Sequence, residues 1–336
     1  MRFTYLRYIV LTFLILPGGM PLFATGIQEQ EQPPVFEPEE VSYSVVSLRG
    51  PTAVGLAEAM QESTIAEGVE VEWELVGSPD LAVSRILSGE ADLVALPTNL
   101  AAQLYNRDAD VAVAGTNLWG LMYLVGPEDG PRSFSDLAGR TVYTIGRGAT
   151  PDVLLRYFLA REGLDPDGDL TIDYSYGQVE LSQLAASGEI DLVLLPEPFV
   201  TQVTQRNPDM RILLDFQSVW QEAVGSEESY PQTVFLARRS VAQADPESFA
   251  LLLDRIEESL LFAIGDPVET GVLVEQAGIG LPAEVTEAAI PRLNIRYESA
   301  TDSREAIEEY LQVLFDFNPR SIGGAMPGDA FYLDLR

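Results

Sequence analysis

The sequence contains no cysteine, no histidine and no lysine, so all 20 of its basic residues are arginine. These absences exclude a thiolate nucleophile, an imidazole base and a Schiff-base amine, together with every metal site built from His or Cys ligands. Pyridoxal-phosphate enzymes need a lysine and Ser-His-Asp hydrolases need a histidine, so both classes are excluded. Chemistry that uses carboxylates alone stays open. No spacing of Asp and Glu is typical of a metal loop, so neither a metal nor a cofactor is predicted.

Positive charge is scarce as well. The formal net charge is −32, which would repel nucleic acid and argues against a nucleic-acid partner. Because cysteine is absent there are no disulfides, and cysteine usage says nothing about the redox compartment. The 336 residues, 46% of them hydrophobic, suffice for one large domain or two of medium size.

The N-terminal residues have the order of a secretory signal. Arg2 and Arg7 precede an apolar run over residues 8–16, and small residues follow at 24–26. A positive start, a short apolar centre and a small-residue cleavage site predict a signal peptide over residues 1–26. The alternative is an uncleaved signal that serves as a membrane anchor.

The residues after this segment predict an exported chain on a solvated tether. Ile27 stands where a lipoprotein would have a cysteine, so a lipid anchor at that position is excluded. Residues 27–40 are rich in Glu, Gln and Pro and cannot form a core, which is typical of a tether. We expect the protein in the periplasm or on the extracellular face of the membrane.

An internal repeat organises the rest of the chain. The sequence SGEADLVALP at 88–97 recurs as SGEIDLVLLP at 187–196. In each copy a helix is predicted to end at a glycine, Gly89 or Gly188, before a short apolar strand that ends at proline.

A second similarity lies upstream of each copy. A strand-like run ends at Leu48 and another at Ile145, and each leads into a glycine-containing turn and then a helix-like run. Thr52 and Thr150 are predicted to cap these two helices, because a threonine hydroxyl accepts a hydrogen bond from a first-turn N–H group.

Each copy therefore alternates strands and helices, which predicts a parallel sheet with crossover helices. Two copies predict an α/β fold with two Rossmann-like lobes and a ligand cleft between them. The segments Val111 to Val125 and Tyr230 to Leu236 are predicted to cross between the lobes. We assign residues 41–118 and 234–336 to lobe 1 and residues 119–233 to lobe 2. Helices are predicted at 249–264, 267–276, 282–289 and 303–315.

Several motifs resemble the type 2 periplasmic solute-binding proteins of ABC importers. The two Gly-Glu-x-Asp strands are similar to those of the nitrate/sulfonate/taurine and thiamine-precursor binding proteins. DLAGRTV at 136–142 resembles the entry to their second lobe, although Ala138 and Arg140 stand where lysines are usual. PRLNI at 291–295 and FDFNPRSIGG at 315–324 resemble the C-terminal end of one branch.

This resemblance implies a solute-binding protein that captures a small polar or anionic organic molecule, such as a sulfonate or a thiamine precursor. It further implies delivery of that molecule to permease and ATPase subunits, by a protein that we expect to be a monomer. Thiamine-pyrimidine synthases share the fold but use His and Lys, which are absent, so no enzyme is predicted. A ligand sensor is the main alternative, and a carboxylate-dependent enzyme with Glu197 as its acid is a weaker one.

Ligands of open α/β sheets bind beyond the carboxyl ends of the strands. Turn backbone N–H groups and the guanidinium groups of Arg49 and Arg147 favour an anionic ligand group. Trp119 is suited to stack on a flat ligand, and Glu197 to pair with a ligand amine, which argues against a bare inorganic anion. The alternative is that these residues only shape turns, pack or face solvent. The candidate ligand-binding residues are Arg49, Gly50, Pro51, Thr52, Thr98, Asn99, Asn117, Trp119, Arg147, Gly148, Ala149, Thr150, Tyr176 and Glu197.

Overall fold

A computed structural model describes residues 41–335. The predicted signal peptide and tether lie outside the described residues. Within them, the strands are β1 (Val41–Leu48), β2 (Thr64–Ala66), β3 (Val69–Val76), β4 (Leu93–Pro97), β5 (Val111–Trp119), β6 (Met122–Pro127), β7 (Thr141–Tyr143), β8 (Thr171–Asp173), β9 (Val193–Pro196), β10 (Met210–Asp215) and β11 (Pro231–Arg238).

The helices alternate with these strands at first and then follow them. They are α1 (Pro51–Val54), α2 (Pro79–Ser88), α3 (Thr98–Tyr105), α4 (Thr150–Arg161), α5 (Gln178–Ser187), α6 (Phe199–Arg206), α7 (Phe216–Val224), α8 (Arg239–Ala244), α9 (Pro246–Gly265), α10 (Pro267–Gln276), α11 (Ala283–Leu293) and α12 (Arg304–Phe317). The helices predicted near the C-terminus are confirmed as α9 to α12, with ends that differ by a few residues.

The repeated motif has the predicted local structure in both copies. Helices α2 and α5 end at Gly89 and Gly188, whose φ angles of 79° and 75° lie in the left-handed region that glycine adopts without strain. The strands that follow are almost wholly buried, as expected for apolar runs covered on both faces.

The strands form two separate sheets. The first has the order β2-β3-β1-β4-β11-β5 and the second β10-β6-β9-β7-β8. The repeated strands pair in parallel, β1 with β3 and β4, and β7 with β8 and β9. The parallel pairing predicted for each copy of the repeat is confirmed. The strands outside the copies add antiparallel pairs, because β11 is antiparallel to β4 and β5, and β6 is antiparallel to β9 and β10.

The antiparallel strands result from the way in which the chain crosses between the sheets. Strand β5 runs in the same direction as β4 and leaves the first sheet beside the carboxyl end of that strand. After two residues the chain enters the second sheet as β6, where Met122 pairs with Pro196 at the carboxyl end of β9. The carboxyl ends of the parallel strands in both sheets therefore face the same region.

Helix α12 packs against both sheets. Its buried residues Ile307, Tyr310, Leu311 and Leu314 belong to a hydrophobic cluster that contains side chains of β4 and also of β6 and β7. Helices α9, α10 and α11 instead pack in a cluster with β1, β3 and β4 of the first sheet. Across the described residues, no helix combines the length and apolar character needed to cross a bilayer.

Candidate functional site

The turn after β1 presents a backbone without side-chain obstruction. Gly50 has a φ of 90°, and a Cβ atom added to it would meet no atom within 4 Å. Its N–H donates to the carbonyl of Ile279 at 3.2 Å, and Arg49 Nη1 donates to the carbonyl of Gly278 at 2.5 Å. The chain itself therefore uses the Gly50 N–H, contrary to the expectation that this group is free for a ligand.

The turn after β7 is the counterpart in the second sheet. Gly148 has a φ of 77° and also faces open space. Its N–H donates to Asp152 Oδ2 at 2.6 Å, so it too is used within the chain. The other oxygen of Asp152, which is buried, accepts from Arg156 Nε at 2.6 Å and from the Tyr174 hydroxyl at 2.5 Å. This carboxylate holds the turn in place.

The same turn displays an exposed cation. The guanidinium of Arg147 lies over the ring of Tyr174, 4.6 Å from its centroid, and the residue is exposed. Burial, and next the hydrogen bond to Asp152, raises the pKa of Tyr174 to about 12, so this hydroxyl stays protonated at neutral pH. Arg147 is thus oriented by a neutral aromatic ring and keeps its charge available to solvent.

The predicted threonine caps are wrong. The residues that precede α1 and α4 are Gly50 and Ala149, and neither helix has a side-chain cap. Thr150 lies inside the first turn of α4, and its hydroxyl shares a hydrogen bond with the Tyr310 hydroxyl of α12 at 3.0 Å. Thr52 is buried in the short helix α1.

The turn after β4 is joined to later parts of the chain. Thr98 is fully buried, and its hydroxyl donates to the carbonyl of Pro231 at 2.6 Å. Asn99 is half-buried, and its Nδ2 donates to the carbonyl of Ser321 at 3.4 Å. Ser321 in turn donates to the carbonyl of Leu314, so the segment after α12 anchors this turn.

Glu197, in the turn after β9, forms an ion pair with an arginine of the chain itself. Its side chain is 0% exposed, and Oε1 accepts from Arg292 Nε of α11 at 2.5 Å. Oε2 accepts from the N–H of Thr201 at 3.0 Å, near the start of α6. Arg292 Nη2 also donates to the Thr201 hydroxyl at 2.6 Å. The carboxylate is buried because its charge is neutralised within the chain.

Asn117 and Trp119 are buried beside the crossing between the sheets. Asn117 Nδ2 donates to the carbonyl of Thr52 at 2.9 Å, so these two predicted residues are in contact. Trp119 Nε1 donates to the carbonyl of Arg296 at 3.1 Å, and the Arg296 guanidinium lies 4.2 Å from the ring centroid. A cation of the chain therefore lies over one face of the ring that we expected to stack on a ligand. Tyr176 packs against Tyr143, with ring centroids 6.1 Å apart.

Two C-terminal helices, each together with an adjacent segment, link the four turns in pairs. The α11 brace consists of Gly278, Ile279 and Arg292, and it contacts the β1 turn at one end and the β9 turn at the other. The α12 brace consists of Tyr310 and Ser321, and it contacts the β7 turn and the β4 turn. Each brace thus joins one turn of the first sheet to one turn of the second.

The predicted turns are not beside the largest cavity described. That cavity, of ≈630 Å³, lies between α9 and residues 297–302 and 333–335. A second cavity, of ≈520 Å³, is bordered by Trp119, residues 224–228 and the start of α12. Of the predicted site residues only Trp119 lines either of these two cavities.

Sequence reasoning missed three charged residues of this region, namely Arg292, Asp152 and Arg156. Arg292 was noticed only as part of the PRLNI motif. Its partner Glu197 is 95 positions away in sequence, and no local pattern indicates such a contact. Asp152 and Arg156 are four residues apart in α4, and this spacing of opposite charges was an available signal.

The family comparison covers most of the described chain. Residues 52–259 match a family model described as ABC transporter, phosphonate, periplasmic substrate-binding protein. Among proteins of curated function, none matches this sequence.

Solved structures show the same fold. An ABC transporter from Parabacteroides distasonis is 27% identical with a TM-score of 0.76, over 88% of this chain and 99% of the other. The aliphatic sulphonate binding protein SsuA of Escherichia coli is 16% identical with a TM-score of 0.68, over 87% and 95%. The nitrate-binding protein NrtA of Synechocystis is 13% identical with a TM-score of 0.61, over 83% and 82%. The predicted fold class, two α/β lobes of the type 2 periplasmic binding fold, is confirmed.

Proposed function

The chain belongs to the phosphonate-type family of ABC-transporter periplasmic substrate-binding proteins, and we propose that it captures a small anionic organic molecule between its lobes for import. The family consists of transporter binding proteins without enzymatic activity, so the prediction that the chain is not an enzyme is confirmed. That it binds a substrate of an ABC transporter follows from the same membership.

The positive charge that is not neutralised at the four turns is the observation that supports an anionic ligand. Glu197 is the one acid among the predicted site residues, and Arg292 already neutralises it. Arg49 and Arg147 are exposed at matching turns, and neither forms an ion pair within the described residues. Although the net charge of the chain is −32, positive charge is therefore exposed in the region that the carboxyl ends of the parallel strands of both sheets face. Two guanidinium groups on opposite lobes suit a phosphonate, sulfonate or carboxylate.

The ligand names of similar proteins support this class. The family model names phosphonate, and the matching structures include sulfonate-binding and nitrate-binding proteins. Because Arg292 already forms an ion pair with Glu197, there is no reason to expect a ligand amine at that position. We therefore favour a simple organic anion over a thiamine precursor.

We propose that the chain is exported, works as a monomer and delivers its ligand to a permease and its ATPase. Contacts to both lobes would favour the closed arrangement over the open one, because a ligand shifts an equilibrium only by binding one state better.

Isothermal titration calorimetry with methylphosphonate, ethanesulfonate and nitrate tests the ligand class, with uncharged dimethyl sulfone as the control ligand. Binding of an organic anion without binding of the sulfone is the expected result. Arg147→Ala should weaken it about tenfold or more, since a charged hydrogen bond is worth about 1.5–3 kcal/mol.

Arg140→Ala is the matched control, because Arg140 precedes β7 and Arg147 follows it. It should leave affinity within about twofold, since Arg140 stands at the opposite end of β7. A strand of three residues spans about 10 Å, which is close to the Debye length at 0.1 M salt. Equal losses in both variants, or tighter binding of the sulfone than of the anions, would contradict the proposal.

A further inference from the structure

The ion pair between Arg292 and Glu197 joins the two lobes. Glu197 directly follows β9 of the second sheet, whereas α11 packs through Ala289, Ile290 and Leu293 into the cluster of the first sheet. The carbonyl of Arg292 also accepts a hydrogen bond from the Tyr123 hydroxyl of β6 at 3.0 Å. The end of α11 is thus held against the second sheet by both backbone and side chain.

This pair is built into the turn. Glu197 is 0% exposed and both of its oxygens have donors, one from Arg292 and one from the N–H of Thr201. The Arg292 side chain keeps 35% exposure and lies at the border of the contact. Removing the arginine would leave a buried carboxylate without a cation, which favours movement of the β9 turn toward water, where the carboxylate can be solvated.

The segment that precedes α11 contacts the site as well. The residues before α11 accept hydrogen bonds from the Gly50 N–H and from Arg49 Nη1 of the β1 turn. If the β9 turn moves away from α11, the distance between the β9 turn and the β1 turn therefore changes. A ligand that contacts both turns binds best when they are already held at the correct separation.

We propose that Arg292 and Glu197 are a positioning pair, which sets ligand affinity by fixing the β9 turn relative to the β1 turn across the cleft. The inference rests on the proposed function, since it concerns the same cleft. Neither side chain needs to touch the ligand. Without the pair, a smaller fraction of the molecules has the binding-competent arrangement. The apparent affinity falls in proportion to that fraction.

The chain offers a matched control pair within one lobe. Arg255 Nη1 and Glu58 Oε2 lie 2.6 Å apart, with side-chain exposures of 12% and 30%, and join α9 to the segment after α1. This pair is about as buried as the first but does not cross between the sheets. Its loss should lower stability without changing affinity.

The first experiment is a double-mutant cycle with Arg292→Gln, Glu197→Gln and the double variant, titrated with methylphosphonate, ethanesulfonate and nitrate. Each single variant should bind the preferred anion about tenfold more weakly than the wild type, and the double variant no more weakly than the singles. Arg255→Gln should lower the melting temperature and keep the wild-type affinity. An unchanged affinity in Arg292→Gln, or equal losses in Arg255→Gln, would overturn the inference.

The second experiment measures the lobes directly and needs no ligand. Because the chain has no cysteine, Glu72→Cys in β3 and Glu180→Cys in α5 add two exposed sites for spin labels, one on each lobe. The distance distribution between the labels should broaden in Arg292→Gln and stay narrow in Arg255→Gln. Identical distributions in all variants would overturn the inference. If the proposed anion class is wrong, the wild type will bind none of the three anions. That result is independent of the distances between the spin labels.

Discussion

The α11 brace and the α12 brace link the same kinds of turns by different chemistry. The α11 brace depends on an ion pair whose arginine is partly exposed at the border between the lobes. The α12 brace depends on Tyr310, which is fully buried, stacks on Tyr230 with ring centroids 5.5 Å apart and shares a hydrogen bond with Thr150. Arg292 can exchange its partner for water when a movement of the lobes also exposes Glu197, whereas the buried ring of Tyr310 has no such exchange available.

This difference indicates which contact persists when the lobes move. Tyr310 lies in the cluster that contains side chains of both sheets, next to the crossing at Gly120 and Tyr230. We expect the α12 brace to stay formed as part of the hinge and the α11 brace to be the contact that opens. Substitutions in the two braces should therefore differ in their effects.

Tyr310→Ala should destabilise the whole protein by about 3–5 kcal/mol, since it removes a large buried ring from the cluster that the lobes share. Urea unfolding followed by tryptophan fluorescence gives this value. Tyr310→Phe keeps the ring and loses only the hydroxyl bond to Thr150, so its cost should be about 1 kcal/mol. Similar costs for the two variants would mean that the ring does not join the lobes.

Arg292→Ala should cost less, about 2 kcal/mol, because its side chain is partly exposed and solvent screens the pair. Adding Glu197→Gln to this variant should restore part of the loss, since the uncompensated buried charge disappears. The measurement is the free energy of unfolding of the single variant and of the double variant, which should be higher for the double variant. A double variant less stable than the single would show that Glu197 acts mainly through its bond to the Thr201 N–H.

Glu309→Gln, where α12 borders the second cavity, should give the smallest change. Burial, and next the charge of Glu305, raises the pKa of Glu309, so the charged carboxylate opposes folding at neutral pH. The glutamine should therefore stabilise the protein by less than about 1 kcal/mol at pH 7. The gain should vanish below the ordinary glutamate pKa of about 4.3, where both states are protonated. A gain that persists at acid pH would point to packing instead of charge.

The sequence was sufficient for the parts of the fold that depend on local patterns. The duplicated SGE-x-DLV segment predicted matching helix ends, buried strands and two lobes, because periodicity and glycine position are local properties. It did not predict that β6 and β11 run antiparallel to their neighbours, since this depends on where the chain crosses between sheets.

The candidate site was less predictable. The turns were identified from the rule about strand ends, but the partners of Glu197 and Thr150 were not. Arg292 and Tyr310 lie 95 and 160 positions away from these residues and come from helices added after the repeat. Whether the predicted residues bind ligand stays a prediction.

We propose that the four turns act together as one ligand cleft. Hydrogen–deuterium exchange with and without saturating methylphosphonate or ethanesulfonate, whichever binds more tightly, tests it most directly. We expect slower exchange in the peptides that span all four turns, residues 49–52, 97–99, 147–150 and 196–198, and no change in α9 and α10. Protection confined to one lobe, or centred on the cavity between α9 and residues 297–302, would contradict it.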